Sequence, residues 1–453
     1  MLTFALLVAF IAALFIELRR KPGLWPTNAG VVSLSVNAFD DMLKNIFTRD
    51  TIENLVYPKN VALAAIPKNE KFVGDSKKIP VGYANPQGRS ATFTNAQGNQ
   101  TNAQYAAFML TRVRDYQLAN IDNETIQASA SDEGAFMEAA TDTIAKALQN
   151  LSRSLGVSMY LDGTGNIGTV TGTPSGTAFT LATNEDITRF EIGQTLVAGI
   201  NGSTSSFRAG TMIVTSVNRI SAVVTCSGNV VAALAANDII FVQGDAPNAS
   251  SGLFNAWNNN LRVAGFAAWL PFPLNGTDPI TGADSFFGQN RSYDRTRLGG
   301  VYYDMSGEPI EEGLIDMNEL IAREGGSSTV CFMSFKRWAE LKKAQGSKVI
   351  LSELEVPTSE GRLGFKAIEF TTGSGDVKIV ADVNCPSNYC YMLDMDTWKL
   401  ESLGAAPDLL TYMDGFKAFR NPSQDSVELR AGYYGNVSSR APGWSGVGYF
   451  GTL

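Results

Sequence analysis

No histidine occurs among the 453 residues. Histidine is the usual general base at neutral pH and the commonest metal ligand. Its absence removes Ser-His-Asp and Cys-His nucleophiles, His-based zinc sites and HExxH metalloproteases together. What remains is chemistry built on carboxylates, Lys or Tyr. Carboxylate pairs stand at Glu311–Glu312 and Asp394–Asp396. A glycosidase needs two carboxylates facing each other across a cleft, which spacing alone does not provide. Adjacent acids at a helix start are more simply charges that favour the helix dipole. Gly163-Thr164-Gly165-Asn166-Ile167-Gly168 matches GxGxxG, a pattern that holds a pyrophosphate only where a strand precedes it and a helix follows. Thr169-Val170-Thr171-Gly172-Thr173-Pro174 is a poor helix start, so the glycines read as a hinge, and no cofactor is expected. Cys226, Cys331, Cys385 and Cys390 contain no CxxC pair. They read first as small buried hydrophobes in a reducing compartment, with a Cys385–Cys390 disulfide or a metal site as the lesser option.

Composition points the same way. The chain is 44% hydrophobic and 18% charged, as ordinary globular proteins are. Its length allows two or three cores. A net charge of −8 without long runs of one sign argues against a dedicated nucleic-acid reader. Arg112, Arg114, Arg291, Arg295 and Arg297 are scattered cations, explained by solvated faces or by ion pairs between subunits. Leu2 to Ile16 form an apolar run of about 15 residues, short of the roughly 20 that a spanning helix needs. It lacks the basic start and cleavage site of a signal peptide. A membrane anchor, a piece buried or removed during assembly, and a start codon placed too far upstream all fit; the last two together fit best.

The elements that would position these residues follow from periodicity. Asn37 to Phe47 has helical spacing, and Val61 to Lys71 reads as extended. Gly74 to Tyr105 reads as a polar β-hairpin, with Ile79, Val81 and Tyr83 alternating. Its turn is expected at Asn85-Pro86-Gln87-Gly88-Arg89, with a polar strand returning at once, and Lys77 and Lys78 at its base. The hairpin has little to bury, so it is expected to project and find its contacts on a neighbour. Ser131 to Leu155 is the clearest helix, with Ser131 as N-cap and Phe136, Ala140, Ile144, Ala147, Leu151 and Leu155 in one stripe. Gly156 is expected to close it. Residues 166–245 turn rich in Thr, Val, Gly and Ala, with short β runs at close spacing, as in a small inserted barrel or sandwich. Mixed α and β returns from Gly252: a helix over Ile310 to Arg323, a strand over Val330 to Met333, and a Ser334-capped helix with Phe335, Trp338 and Leu341 inward. Further strands are expected at Ala367 to Thr371, Val377 to Ala381, Cys390 to Leu393 and Val427 to Val437.

The stretch ENLVYPKNVALAAIPKNEKF from Glu53, followed by GYANPQGRSATF from Gly82, resembles tailed-bacteriophage major capsid proteins of the Hong Kong 97-type fold. WLPF at Trp269 to Phe272, TVCFMSFKRWAEL from Thr329 and IVADVNCPSNYCYMLDMDTW from Ile379 support the resemblance. It implies an α+β fold and the following layout: an apolar segment and linker over 1–32, an N-terminal arm over 33–68, and the extended loop over 69–110. A peripheral domain with the spine helix would span 111–165 and return over 246–308, around the inserted β domain at 166–245. An axial domain would fill 309–400, and C-terminal strands of both domains 401–453.

The implied function is a non-enzymatic shell subunit, assembling as hexamers and pentamers around double-stranded DNA that it does not read. Scaffolding, portal and decoration proteins would be its partners, and no membrane would belong to the mature shell. Asn85 to Arg89 would be the intersubunit contact at the loop tip. Some relatives cross-link a loop lysine to a neighbour's asparagine, chemistry that needs a nearby acid in the assembled shell and is not assigned to Lys77 and Lys78 at the loop base. The apolar residues 1–16 depart from the family pattern. The rival readings are an exported β-rich adhesin or carbohydrate-binding surface protein, and a carboxylate-based glycosidase.

Overall fold

Strands such as Val330–Met333 (VCFM) and Tyr389–Leu393 (YCYML) are apolar at every position, which is what burial on both faces requires. The computed structural model describes residues 60–122, 133–228, 231–247, 260–273, 277–282, 284–346, 350–358, 361–411, 417–420 and 423–451. The apolar start, the helix expected at Asn37 to Phe47 and the Ser131 cap lie outside them. Among the described residues the strands form a seven-stranded mixed sheet, a six-stranded sheet, a closed six-stranded barrel and a two-stranded hairpin.

The seven-stranded sheet runs in the order Val301–Asp304, Gly446–Tyr449, Tyr389–Leu393, Val330–Met333, Gly375–Ala381, Gly361–Thr372, Ile350–Thr358. One face, carrying Cys331, Met333, Cys390 and Met392, packs under the helices Ile310–Arg323 and Phe335–Gln345 through Leu314, Met317, Ile321 and Leu341. The other, carrying Val330, Phe332, Tyr391 and Leu393, enters the largest core. Ser334 caps its helix as expected, accepting from the Arg337 amide. Leu341 is buried there, but Phe335 is 61% exposed, because the N1 position points its side chain away from the sheet.

The six-stranded sheet is built around Ser426–Ser439, a 14-residue strand. Val113–Asp122 pairs along one of its edges. Trp398–Ser402, Asp408–Leu409 and Ala418–Arg420 share the other, and Lys68–Asn69 joins in parallel beyond Trp398–Ser402. The long helix Glu133–Ser158 lies on this sheet with Ile144, Ala147, Leu148, Leu151 and Leu155 buried. Phe136 and Ala140 fall in the same helix, but their side chains are outside the described set. The helix does not stop at Gly156. A Cβ there would stand 2.7 Å from Asn60 Oδ1 and 3.0 Å from Asn384 Nδ2, so the glycine admits a close approach inside the helix. Val61–Ala65 is helical rather than extended. Ala and Leu favour helix, and the otherwise orphaned Ala62 amide at the helix start donates to Asp382 at 3.0 Å.

The barrel closes in the order Ile239–Val242, Asn166–Ser175, Ala178–Leu181, Val223–Ser227, Met212–Asn218, Thr195–Gly199. Its core, including Val170, Phe179, Phe190, Leu196, Val224 and Ile240, forms a cluster separate from that of the body. The glycine motif therefore opens a strand, not a helix. A Cβ at Gly168 would stand 3.0 Å from Leu181 and 3.2 Å from Phe190, so this glycine lets the barrel wall close. Fully buried Asp238 organises one end, accepting from Arg208 Nε at 2.9 Å and from the Asn201 and Ala235 amides at 2.9 Å each. Burial pushes its pKa up, but the Arg208 guanidinium and the two amides outweigh that and hold it below the usual 3.8. A carboxylate depressed in the folded state contributes stability above its unfolded pKa and loses it as pH falls through the folded value. Asp238→Asn is expected to cost about 3 kcal/mol near neutrality by stranding Arg208. That gap between variant and parent should narrow in thermal melts as pH falls from about 5 to about 3. A gap independent of pH would contradict the assignment.

Candidate assembly surface

Ser76–Ala84 and Gln104–Thr111 form the hairpin, with Ile79 opposite Phe108 and Val81 opposite Ala106. Side chains alternate across a strand, so Ile79, Val81, Ala106, Phe108 and Leu110 share one face. That face is buried on the protein's own body. Phe108 meets Trp269 edge-on at 5.2 Å and Phe286 at 5.9 Å, the T-shaped geometry that ring quadrupoles favour. Met109 donates its amide to the Phe287 carbonyl at 3.0 Å. Arg297 donates to the Tyr83 carbonyl at 2.6 Å, and Tyr83 stacks on Tyr293. The expectation of a hairpin with little to bury is thus corrected for its lower half, where alternation makes an apolar face wide enough to dock.

The upper half behaves differently. The return strand does not follow Arg89 directly; it starts at Gln104, and residues 85–103 form a long loop containing the short helix Phe93–Gly98. Amide-rich, weakly β-prone sequence explains the delay. Between Asn85 and Tyr105 no residue is buried. Asn85, Pro86, Gln87 and Arg89 are exposed and Gly88 is half-buried. Gly88 has φ +144°, and a Cβ there would stand 3.2 Å from the Ala96 carbonyl, so the loop's crossing needs glycine. Gln87 and Thr101 exchange two hydrogen bonds, at 2.8 and 3.0 Å, across the neck of the loop. Phe93 is 82% exposed and Tyr105 70%.

The hairpin base is tied down by charge. Lys77 Nζ lies 2.7 Å from Glu401, which is 3% exposed and also accepts from Asn69 Nδ2 at 2.6 Å. Lys77 is therefore committed within the chain, whereas Lys78, on the alternate face, is exposed. Three of the other cations are also tied within the chain, contrary to the reading as solvated faces or intersubunit pairs, whereas Arg114 and Arg297 are exposed. Arg291, 3% exposed, pairs with Asp284 at 2.8 Å and lies over the Phe286 ring. Arg295 pairs with Asp278 at 2.9 Å, and Arg112 donates to the Phe72 carbonyl at 2.6 Å. These side chains hold loops to the core, which spacing in sequence does not reveal.

Other candidates have local roles. Glu311 and Glu312 sit in the first turn of their helix. Asp394 is the N-cap residue of the short 3₁₀ turn Met395–Thr397 and Asp396 lies within it; burial raises the Asp394 pKa. All four cysteines are free and buried, so Cys385 and Cys390 are not bonded to each other. Among the described residues no group of three or more Cys, Asp or Glu could hold a metal, and no helix is long and apolar enough to cross a membrane.

No family model matches the chain, and no curated protein matches it. Solved structures do. The chain is similar to one in the cyanophage A-1(L) capsid asymmetric unit, with 11% identity and a TM-score of 0.45, over 87% of this chain and 94% of that one. It is similar to one in the capsid of a native GTA particle, with 8% identity and a TM-score of 0.41, over 87% and 91%. A third is in the procapsid of satellite phage P4, with 9% identity and a TM-score of 0.37, over 88% and 97%.

Removing the Lys77 charge leaves the buried Glu401 carboxylate facing the Asn69 side-chain amide without that cation. Lys77→Met is expected to lower stability by about 2 kcal/mol, read as a drop in the urea midpoint at unchanged slope. An unchanged midpoint would show that the pair contributes nothing.

Proposed function

We propose that this protein is a structural shell subunit of the Hong Kong 97-type, assembling with copies of itself as hexamers and pentamers into the icosahedral head of a tailed bacteriophage. The observation that carries the proposal is the division of the hairpin: a lower half fastened to its own body and a loop from Asn85 to Tyr105 with no buried residue. A lone molecule gains nothing from holding Phe93 in water. A neighbour that covered it would gain about 2–3 kcal/mol from that side chain. Symmetry repeats such a contact around every ring, so modest individual terms sum to a stable shell.

On this reading the long helix Glu133–Ser158 is the spine of the peripheral domain, the seven-stranded sheet with its two helices is the axial domain, and the barrel is an insertion within the peripheral domain. The reading assigns no reaction and no cofactor. An acidic subunit would enclose double-stranded DNA without gripping it, consistent with a net charge of −8. Scaffolding, portal and decoration proteins would be separate chains, and the mature location would be the virion.

The test is electron microscopy of the purified protein, alone and co-expressed with its phage partners, beside a variant whose loop tip is replaced by a short Gly-Ser turn. Rings or shells from the parent, and a folded but dispersed variant, are expected. Phe93→Ser should leave monomer stability within about 0.5 kcal/mol while weakening assembly. Monomers only from the parent under every condition, or shells undiminished in the loop variant, would contradict the proposal.

A further inference from the structure

The barrel and the body have separate cores, so something other than shared apolar packing must set the angle between them. Cavities lie along the seam. One of about 70 Å³ is lined by Ser154, Gly165, Ile167, Asp245 and Arg262. Open clefts of about 670 Å³ and about 620 Å³ flank it, the first between Gly168 and Tyr389, the second between Arg219 and Lys146. Close-packed interfaces do not leave such gaps. Charged and polar side chains cross the seam.

Arg262 is the centre of that polar crossing. Its residue is 7% exposed. Nη1 lies 2.7 Å from Asp115, on the strand Val113–Asp122 of the six-stranded sheet, and 3.6 Å from Asp245, where the chain leaves the barrel. Nη2 donates to Ser158 Oγ at 3.0 Å and to Ser154 Oγ, both on the long helix. Ser154 in turn donates to Asp115 at 2.8 Å. The Arg262 amide donates to the Gly163 carbonyl at 3.3 Å, on the segment that enters the barrel. One planar guanidinium thus joins the exit segment, a body strand and the spine helix, a task for which its fork of donors suits it. A second, half-exposed clasp pairs Glu191 of the barrel with Arg153 of the helix and, at 3.1 Å, with Arg219 of the barrel. The two connecting segments carry backbone that can turn: Gly163 and Gly165 on entry (φ +88° and +81°) and Gly244 on exit (φ +96°).

We propose that Arg262 is a latch that fixes the orientation of the barrel on the body, and that without it the intact barrel pivots on its glycine-bearing connections. The latch belongs to the single chain, so the proposal stands whether or not the shell reading does. If both hold, the latch sets the angle at which the barrel meets neighbouring subunits.

The experiment is a spin-label distance measurement on the full chain. Labels are attached at Ile220→Cys on the barrel and Phe335→Cys on the body, positions that are 93% and 61% exposed. The four native cysteines are buried and slow to react. The parent should give one narrow distance distribution. Arg262→Met should broaden it at least twofold, while amide exchange in Val223–Ser227 stays as slow as in the parent. A distribution as narrow as the parent's overturns the proposal. So does accelerated exchange in Val223–Ser227, because the arginine would then be holding the barrel together rather than aiming it. Should Arg262→Met not fold, Asp245→Asn weakens the same latch by one charge and is read by the same two criteria.

Discussion

A single buried carboxylate fastens the body of this protein. Asp382 is 1% exposed and accepts from the Ala62 amide at 3.0 Å, the Tyr160 hydroxyl at 3.0 Å and the Asn384 amide at 2.9 Å. Those three donors come from the first described helix, from the segment that ends the spine helix, and from the turn after a central strand of the seven-stranded sheet. Asn384 extends the network to Asn60 at 2.8 Å, and Asn60 reaches Ser152 at 2.8 Å. Burial raises the Asp382 pKa while the three hydrogen bonds oppose it. A buried acid is tolerated only where donors converge in this way. The aromatic core around Phe266, Trp269 and Trp398, with ring centroids between 5.2 and 6.3 Å, packs among the same elements.

The same principle, satisfied polar groups inside and alternation at the boundary, accounts for the hairpin. Its strands dock because every second residue is apolar. The loop beyond them has no such pattern, so it has nothing with which to dock on its own body. The body is self-sufficient and the loop is not. That asymmetry is the physical basis of the proposed self-association.

Much of this was legible in the sequence wherever one element carried its own signal. The helix Ile310–Arg323, the strand Val330–Met333 and the Ser334 cap follow from local spacing and capping chemistry. The Thr- and Val-rich β runs inside 166–245 are strands of the barrel; the sixth strand, Asn166–Ser175, was obscured by the glycine motif. Long-range contacts decided the rest. Gly156 looked like a helix terminator, but its role is to admit Asn60 and Asn384. Val61–Ala65 looked extended, but Asp382, more than three hundred residues away, accepts from its first turn. The arginines at 291 and 295 looked like surface charge and are internal fasteners. Asp382, Glu401 and Arg262, the residues that hold elements together, had no local pattern to announce them.

Amide hydrogen exchange across residues 85–104, compared between dispersed and assembled protein, tests the central claim most directly. Fast exchange in the dispersed chain and strong protection after assembly is the predicted result. Protection already present in the dispersed chain, at the level of Gln104–Thr111, would mean the loop is satisfied by its own molecule and would contradict the account.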